Sequence, residues 1–334
     1  MKYARWASWL VFLILLLGAV MVWSLSVGAS GISAARVVRI LCQGGSPVEH
    51  SIIFDIRLPR IILGFAVGGC LSLAGVILQG LFRNPLVEPY TLGISGGAAL
   101  GVAVNIVLGL SAVGAYTLPV CGLLGAGGVI LFLYVSSLRT GVVKLQGLLL
   151  NGVMISFISS SLVMLLMSIA SSDSLHGIVF WMMGSLGGSD LSLVHFMVLV
   201  SLASLAAGYF FCLQLNALAL GEEEARHLGV PIEQVKKILF VFCAVLTGFC
   251  VSIAGMIGFV GLVVPHVMRK LVGSDHRILL GASFLAGALF LIGSDTLART
   301  IIAPLELPVG VITGIVGGSV FLYALAHRGG LSHA

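Results

Sequence analysis

Three adjacent glutamates are the residues in this sequence whose types and spacing most clearly suggest chemistry. Glu222–Glu224 lie within LNALALGEEEARHLGV (215–230), although the chain has only 12 acidic residues in 334. Negative side chains are favourable in the first turn of a helix, so these glutamates can begin a helix after Gly221. Gly229 and Pro231 can then end it. The spacing predicts two short helices with a hinge at Gly221; the alternative is a solvated connector whose acids only assist capping.

The same segment has further features of a small amphipathic element. Asn216 can cap the first short helix, because its side chain can accept a backbone hydrogen bond. Ala225 and Leu228, three positions apart, would give the second helix a small apolar face. We therefore expect two short helices of regular structure.

A second group of candidate residues consists of arginines near the ends of apolar runs. Arg57 and Arg60 form an R-L-P-R motif before one run, and Arg299 follows another. The planar fork of donors in arginine suits recognition of carboxylates on a partner. Interfacial snorkelling is the alternative for a single arginine. Asp295 precedes Arg299 by four positions, so a local ion pair could hold Arg299 instead.

Polar side chains are also concentrated in one apolar run, LQGLLLNGVMISFISSSLVMLLMSIA (145–170). Its polar members are Asn151, Ser156, Ser159, Ser160 and Ser161. Such side chains either form hydrogen bonds between helices or line a water-filled cavity.

The sequence lacks the residue patterns that catalysis or metal binding would need. It has no G-x-x-x-x-G-K-[ST] loop, the motif whose backbone amides hold nucleotide phosphates. Five of the six cysteines fall in apolar runs, Cys42 lies in a polar loop, and no C-x-x-C pair is present. The histidines form no set with ligand spacing. We therefore expect no catalytic residue, no metal site and no enzyme activity in this chain.

Composition identifies the elements that must position these residues. Hydrophobic residues make up 59% of the chain, charged residues 9%, and the mean hydropathy is +1.18. A soluble domain usually has about 25% charged residues. Repeated apolar runs of roughly 20 residues can each cross a hydrocarbon core of ~30 Å, and in lipid they must be helical. The fold class we expect is an all-α integral membrane protein.

The apolar runs predict about ten transmembrane helices. Their approximate bounds are 7–28, 59–81, 91–108, 114–136, 145–170, 191–212, 236–257, 259–271, 277–297 and 307–326. The first run could instead be a signal peptide, but it exceeds the usual apolar core of about 7–15 residues. With the N-terminus inside, twelve of the 17 Lys and Arg residues fall on the inner side, which is the expected bias. Both termini and the 215–230 segment would then be cytoplasmic.

Two stretches of the chain resemble each other. GGCLSLAGVI (68–77) is similar to GFCVSIAGMI (248–257), and the same offset of 180 residues aligns Pro85 with Pro265. The copies begin in spans separated by five crossings, so they would run in opposite directions. This pattern predicts an inverted internal repeat, an architecture that recurs in transporters; chance similarity between glycine-rich helices is the alternative.

Three motifs resemble one transporter family. They are RLPRIILGFAVGGCLSLAGVILQGLFRNPLVEPYTLGISGGAALG (57–101), LALGEEEARHLGV (218–230) and GMIGFVGLVVPHVMRKLVGSDHR (255–277). In order and spacing they are similar to the permease subunit of type II ABC importers, the family that takes up iron-siderophores, haem and vitamin B12. The resemblance extends over essentially the whole chain.

The resemblance implies one transmembrane permease domain over residues 1–334 that functions as a dimer. Its expected partners are a second copy of itself, two ABC ATPase subunits on the cytoplasmic side, an extracytoplasmic substrate-binding protein and the lipid bilayer, with no nucleic acid. ATP and Mg would be bound by the ATPases, so no cofactor is expected in this chain. The expected location is the cytoplasmic (inner) membrane.

The resemblance also assigns roles to the candidate residues. The 215–230 segment would be the coupling element that seats in the ATPase, through Leu218, Leu220, Gly221, Glu222, Glu223, Glu224, Ala225, Leu228 and Gly229. The binding protein would dock on Arg57, Arg60 and Arg299. A cytoplasmic gate and pathway would be formed by Asn84, Leu86, Leu145, Gln146, Asn151, Ser156, Ser159 and Ser160.

The function expected from the sequence is that of the membrane subunit of an ATP-driven importer. Siderophore, haem and corrinoid cargoes remain open, as do a homodimer and a heterodimer. The alternative is a stand-alone secondary transporter of a small metal complex. That alternative would need an ion-coupling site, and no buried Asp/Glu pair is visible.

Overall fold

The computed structural model describes residues 2–28, 31–114, 116–138, 145–188 and 190–326, and in these ranges the chain is helical without strands. The helices are α1 (Lys2–Ser26), α2 (Ala34–Gln43), α3 (Pro47–Ser51), α4 (Leu58–Leu81), α5 (Ile94–Val107), α6 (Thr117–Leu138), α7 (Leu145–Ile169), α8 (Ser172–Met182), α9 (Leu191–Phe210), α10 (Cys212–Leu220), α11 (Glu222–His227), α12 (Ile232–Ala254), α13 (Val260–Val272), α14 (His276–Ala298) and α15 (Val309–Ala326). A π-helical turn (Ile52–Arg57) joins α3 to α4, and 3-10 turns occur at Pro89–Leu92 and Leu110–Val113.

All ten predicted spans are helical over most of their length, but the helices differ in length, and some are too short to cross a membrane. Seven described helical segments are long and apolar enough to cross a membrane: Lys2–Ser26, Pro47–Leu81, Thr117–Ser136, Gly147–Ile169, Leu191–Phe210, Ile232–Ala254 and His276–Ala298. The 14 residues of α5 and the 13 of α13 extend only about 20 Å at 1.5 Å per residue. These two helices are therefore shorter than a ~30 Å hydrocarbon core.

Helix α4 forms the centre of the bundle, and glycines allow α14 to pack closely against it. The apolar window of α4 is 89% buried. A Cβ added to Gly68 would overlap the carbonyl group of Gly287, and one added to Gly287 would overlap that of Gly68. Small residues at such crossings let membrane helices approach closely. Gly80 lies beside His276, so α4 and α14 are antiparallel.

The predicted repeat is helical over 68–77 and over 248–254, and these two helices run in opposite directions. Cys243 contacts the Ala74 carbonyl at 3.8 Å, and Cys250 lies against Cys70, so α4 and α12 are antiparallel. After residue 254, the residues that the 180-residue offset aligns no longer have the same secondary structure. Helix α12 ends at Ala254 while α4 continues to Leu81, and Pro85 is in a loop whereas Pro265 is inside α13.

Two breaks in the helical structure are bonded to each other. The segment 82–93 joins α4 to α5, and the segment 255–259 joins α12 to α13. A Glu88 carboxylate oxygen accepts a hydrogen bond from the Phe259 N–H at 2.7 Å, and the Tyr90 hydroxyl accepts one from the Ile257 N–H at 2.8 Å. These bonds satisfy backbone donors where the α12–α13 connection leaves the helix, as burial requires.

The bundle has two polar ends with different residues. The α11 end carries α10, α11, the start of α1 and the start of α14, where Lys2 bonds Asp275 and Arg5 bonds the Leu271 carbonyl. The arginine end carries Arg57, Arg60 and the C-terminal ends of α1 and α14. Lys2 and Arg5, which are predicted to be inner, therefore lie at the opposite end from Arg57 and Arg60, which are predicted to be outer.

All six cysteines are unpaired. Cys70, Cys243 and Cys250 are buried, and Cys42 is exposed. Cys42 lies in α2, so the expected polar loop at this position is wrong, because Ser33 caps a helix that runs to Gln43. No cluster of His, Cys, Asp and Glu suited to a metal ion occurs among the described residues.

Candidate functional site

The 215–230 segment forms the two short helices that the sequence predicts. Helices α10 and α11 are separated by Gly221, whose backbone has φ 138° and ψ 157°. Non-glycine residues rarely adopt such a conformation, so glycine allows the sharp change of direction. Glu222–Glu224 occupy the first turn of α11, where negative charge is favourable. Gly229 follows with φ 80°.

The apolar residues of this segment divide between the bundle and the surface. Ala225 is fully buried, whereas Leu220 and Leu228 are each 65% exposed. The expected apolar face shared by Ala225 and Leu228 is therefore wrong, because Ala225 packs inward and Leu228 points away from the bundle. Leu218 is buried as well. The outward surface of the segment combines two leucines with exposed glutamates.

The segment is attached to the bundle by polar contacts. Lys236 of α12, itself buried, donates to Glu222 at 2.7 Å. Asn216 does not cap α10, as the sequence suggested, but lies inside it. Its amide nitrogen donates to Asp275 at 2.9 Å, and its amide oxygen accepts from the His276 N–H at 2.8 Å. The 215–230 segment is thereby fixed to the start of α14.

Asp275 joins three elements at the α11 end. Its carboxylate accepts from Arg277 at 2.7 Å, from Asn216 at 2.9 Å and from Lys2 at 3.1 Å. The Arg277 side-chain hydrogen bond contributes most to holding the Asp275 pKa well below its usual range, and Asn216 and Lys2 add to it. Asp275 is therefore a carboxylate at any physiological pH.

The three arginines predicted to dock a partner lie together at the arginine end, and each contacts groups of this chain. Arg60 Nε donates to both Asp295 oxygens at 2.9 and 3.0 Å, and Arg60 also donates to Glu306 at 2.7 Å. Arg299 lies 3.2 Å from Asp295. Arg57 donates to the Leu25 carbonyl.

The exposed fractions of these arginines are only 5% for Arg57, 8% for Arg60 and 9% for Arg299. The local ion pair between Asp295 and Arg299, the alternative raised by their spacing, is present. Docking of a partner on these arginines stays a prediction. A docking surface at this place would also contain Asp295 and Glu306, which already pair with Arg60 and, in the case of Asp295, with Arg299. The sequence did not indicate Glu306, because 246 residues separate it from Arg60.

An apolar cavity of about 530 Å³ lies between α5, α7 and α8. Ser156 and Ser160, predicted to line the pathway, both line it, whereas Ser159 is buried against Gly96 and Asn151 is half-buried outside the lining. Five methionines that the sequence analysis did not single out also line it: Met164, Met167, Met182, Met183 and Met256. None of the described residues that line it is charged. Such a cavity can enclose a bulky group, but the described side chains that line it cannot form an ion pair with that group.

The predicted gate residues lie partly in the connection between α4 and α5. Asn84 accepts a hydrogen bond from the Leu86 N–H at 2.9 Å, and Leu86 is 54% exposed. The next turn, Pro89–Leu92, contacts α7, since Gly152 lies against Leu92. Leu145 and Gln146 begin α7, but their side chains lie outside the described part of the structure.

Comparison with known proteins yields a consistent group of matches. The model of the FecCD transport family matches residues 14–327. An ABC transporter permease protein, YvrB, of Bacillus subtilis is 39% identical over 92% of this chain and 91% of its own length. The hemin transport system permease protein HmuU of Yersinia pestis is 41% identical over 82% of this chain and 83% of its own.

Two further matches cover nearly the full chain. The vitamin B12 import system permease protein BtuC of Klebsiella pneumoniae is 38% identical over 99% of this chain and 97% of its own. A solved structure described as an inward-facing conformation of a metal-chelate type ABC transporter superposes with a TM-score of 0.83. It is 33% identical and covers 96% of this chain and 99% of its own.

Proposed function

The chain belongs to the FecCD transport family, and from that premise we propose that it forms the membrane pathway of an ATP-driven importer with separate ATPase and binding-protein subunits. Its relatives are ABC transporter permeases, so the chain is a transport subunit and not an enzyme. The cargo we propose is a bulky metal chelate, haem or corrinoid. The charge-free cavity between α5, α7 and α8 supports a large cargo that is enclosed without ion pairing.

The exposed surface of residues 215–230, the proposed coupling segment, is the observation that best supports the proposal. Leu220 and Leu228 are each 65% exposed at a polar end of the bundle, beside Glu223 and Glu224. Exposed leucines framed by charges are typical of a protein contact and are costly to leave in water. Because α10 and α11 are bonded to α12 and α14, a partner that moved this segment would move those helices with it.

A second copy of the chain is the proposed partner within the membrane. Only 17% of the apolar window of α7 is buried in the single chain, and Phe157, Ile158 and Leu165 are more than half exposed. Lipid covers part of such a surface in any membrane protein. A second α7 across a dimer axis would place Ser156 and Ser160 of both copies around one pathway.

The alternative of a secondary transporter has less support. The acid that could have coupled an ion, Asp295, is neutralised by Arg60 and Arg299. Coupling by a proton or metal ion needs an ionisable group that can change its state during transport. Within the described ranges of the chain, the lining of the cavity between α5, α7 and α8 contains no such group.

A Leu228→Arg variant tests the proposed coupling. Because Leu228 is 65% exposed, the substitution should change stability by no more than about 0.5 kcal/mol. It should nevertheless place a cation in the ATPase contact. Native mass spectrometry of the complex from its own host is expected to show two copies of the chain with two ATPase subunits. The variant should keep the dimer and lose the ATPases, together with uptake into proteoliposomes.

A Val113→Arg variant is the matched control. Val113 is 80% exposed and lies in the connection after α5, away from the coupling segment. It should retain both ATPases and full uptake. Normal ATPase retention by Leu228→Arg would refute the coupling role, and a wild-type dimer without ATPases would favour the secondary transporter.

A further inference from the structure

Arg60 is held between two carboxylates that differ in exposure. The side chain of Asp295 is 3% exposed, and it binds both Arg60 and Arg299. The side chain of Glu306 is 56% exposed, and among the described residues it pairs with Arg60 alone. Asp295 is thus fixed from two sides, whereas Glu306 can leave its partner for water.

The Arg60–Glu306 pair stands between two cavities at the arginine end. A cavity of about 210 Å³ is lined by Arg57, Arg299 and Pro304, among others, and one of about 510 Å³ by Asp55, Ser185 and Gly187, among others. Arg60 and Glu306 line both cavities. Movement of the Glu306 side chain would therefore open the guanidinium of Arg60 to a group arriving from outside.

The residues around Glu306 form the rim that a protein contact needs. Ile301, Ile302 and Leu305 are 58%, 50% and 69% exposed, and they lie on the same connection between α14 and α15. Charged groups surrounded by apolar side chains that exclude water are typical of the centre of a protein interface. Arg57, Arg60 and Arg299 face Asp295, Glu306 and the exposed Asp55, so the site becomes net positive only when Glu306 moves away, and an added carboxylate then restores the balance.

We propose that Glu306 occupies, in the free permease, the place of a carboxylate supplied by the docking protein, and that docking displaces it. This inference rests on the proposed function, since it assumes an extracytoplasmic binding protein as the partner. Arg60 uses Nε for Asp295 and Nη1 for Glu306. An incoming carboxylate that approaches the Nη1 side of Arg60 therefore competes with Glu306 for it.

The displacement has a path to the cavity between α5, α7 and α8. Glu306 lies on the connection that leads into α15, and the Gly310 N–H of α15 donates to the Met183 carbonyl at 3.1 Å. Met183 lines the cavity. Release of Glu306 loosens the connection next to this bond, so docking acts on the cavity wall through α15.

A Glu306→Gln variant tests the displacement. The probe is the extracytoplasmic binding protein encoded with this permease, titrated against the full complex in lipid nanodiscs. In this variant the neutral amide at position 306 holds Arg60 less strongly than the carboxylate does. An incoming carboxylate of the binding protein should therefore bind more tightly. The Glu306 side chain is 56% exposed, and ion pairs with a solvent-exposed member are weak, so the expected decrease in Kd is about two- to fivefold. Hydrogen exchange at residues 300–308 should also be faster in the free variant.

A Glu49→Gln variant is the matched control for charge. Glu49 of α3 pairs with Arg36 of α2 at 2.8 Å, so Glu49→Gln removes the same charge but leaves the Arg60–Glu306 pair in place. Its Kd should equal that of the wild type. An unchanged or higher Kd for Glu306→Gln, with normal wild-type binding, overturns the displacement alone. Absence of binding by the wild type overturns the proposed docking itself.

Discussion

Asp295 forms ion pairs with two buried arginines, Arg60 and Arg299. Within the arginine cluster, we therefore expect its substitution to cause the largest loss in the free energy of unfolding. In an Asp295→Asn variant, Arg60 would keep only the half-exposed Glu306, and Arg299 would lose its carboxylate. Removing one member of a buried ion pair typically costs about 3–5 kcal/mol, because a charge remains buried without compensation. We expect a clearly lower Tm for the detergent-solubilised protein, measured by tryptophan fluorescence.

The partly exposed pair of Arg36 and Glu49 gives the comparison for that variant. Its side chains are 39% and 24% exposed, and such pairs contribute only about 0–1 kcal/mol. A Glu49→Gln variant should therefore leave the Tm nearly unchanged. Equal Tm values for the two variants would show that Asp295 does not carry the arginine cluster.

Local spacing made part of the arginine cluster predictable. Asp295 and Arg299 are four positions apart, so one helix brings them together whatever the fold. Arg60 and Glu306 are far apart in the sequence and meet through the tertiary structure. Helices α4 and α14 pack side by side, and the connection after α14 passes over the first turn of α4, where Arg60 lies. A single sequence carries no signal for that return.

At the scale of elements, the contact between α4 and α14 is governed by two glycines. A Cβ at Gly287 would overlap the Gly68 carbonyl and Ser72, whereas a Cβ at Gly293, on the same helix, would meet nothing within 4 Å. We expect Gly287→Ala to push the helices apart and lower the Tm by several degrees. Gly293→Ala should leave the Tm unchanged or raise it slightly, because alanine favours helix. Equal effects of the two substitutions would contradict close packing here.

Hydropathy predicted the long helices well because an apolar run of about 20 residues has few alternatives in lipid. It missed α2, α3 and α8, which are short. It also began one span at 91 although α5 begins at Ile94, and it continued another to 257 although α12 ends at Ala254. Those breaks depend on tertiary bonds, such as Glu88 to the Phe259 N–H. Patterns of hydrophobicity contain no information on such partners.

At the scale of the whole molecule, α14 connects the two polar ends. Its first turn is bonded to Asn216 of the 215–230 segment, and its last turns carry Asp295. Its 23 residues span about 35 Å at 1.5 Å per residue. One rigid helix therefore touches both the proposed ATPase contact and the proposed docking site.

The anchor of α14 at the α11 end gives a pH prediction. The Asp275 pKa is depressed from its ordinary value of 3.8 in the folded protein, chiefly by Arg277. A depressed pKa stabilises the folded state above the ordinary value, and this stabilisation is lost only as the pH falls towards the lower folded value. Asp275→Asn should therefore lower the Tm by the same amount at pH 8 and at pH 5. A difference that disappeared at pH 5 would contradict the ion network.

The distribution of thiols has a practical consequence for following this protein at work. Cys42 is the exposed cysteine, and the other five are buried or partly buried, so a maleimide spin label should react first at α2. In a homodimer that label would be present twice, once on each side of the symmetry axis. The distance between the two spins, read by pulsed electron resonance, would then serve as a ruler for the opening of the outer face during each transport cycle.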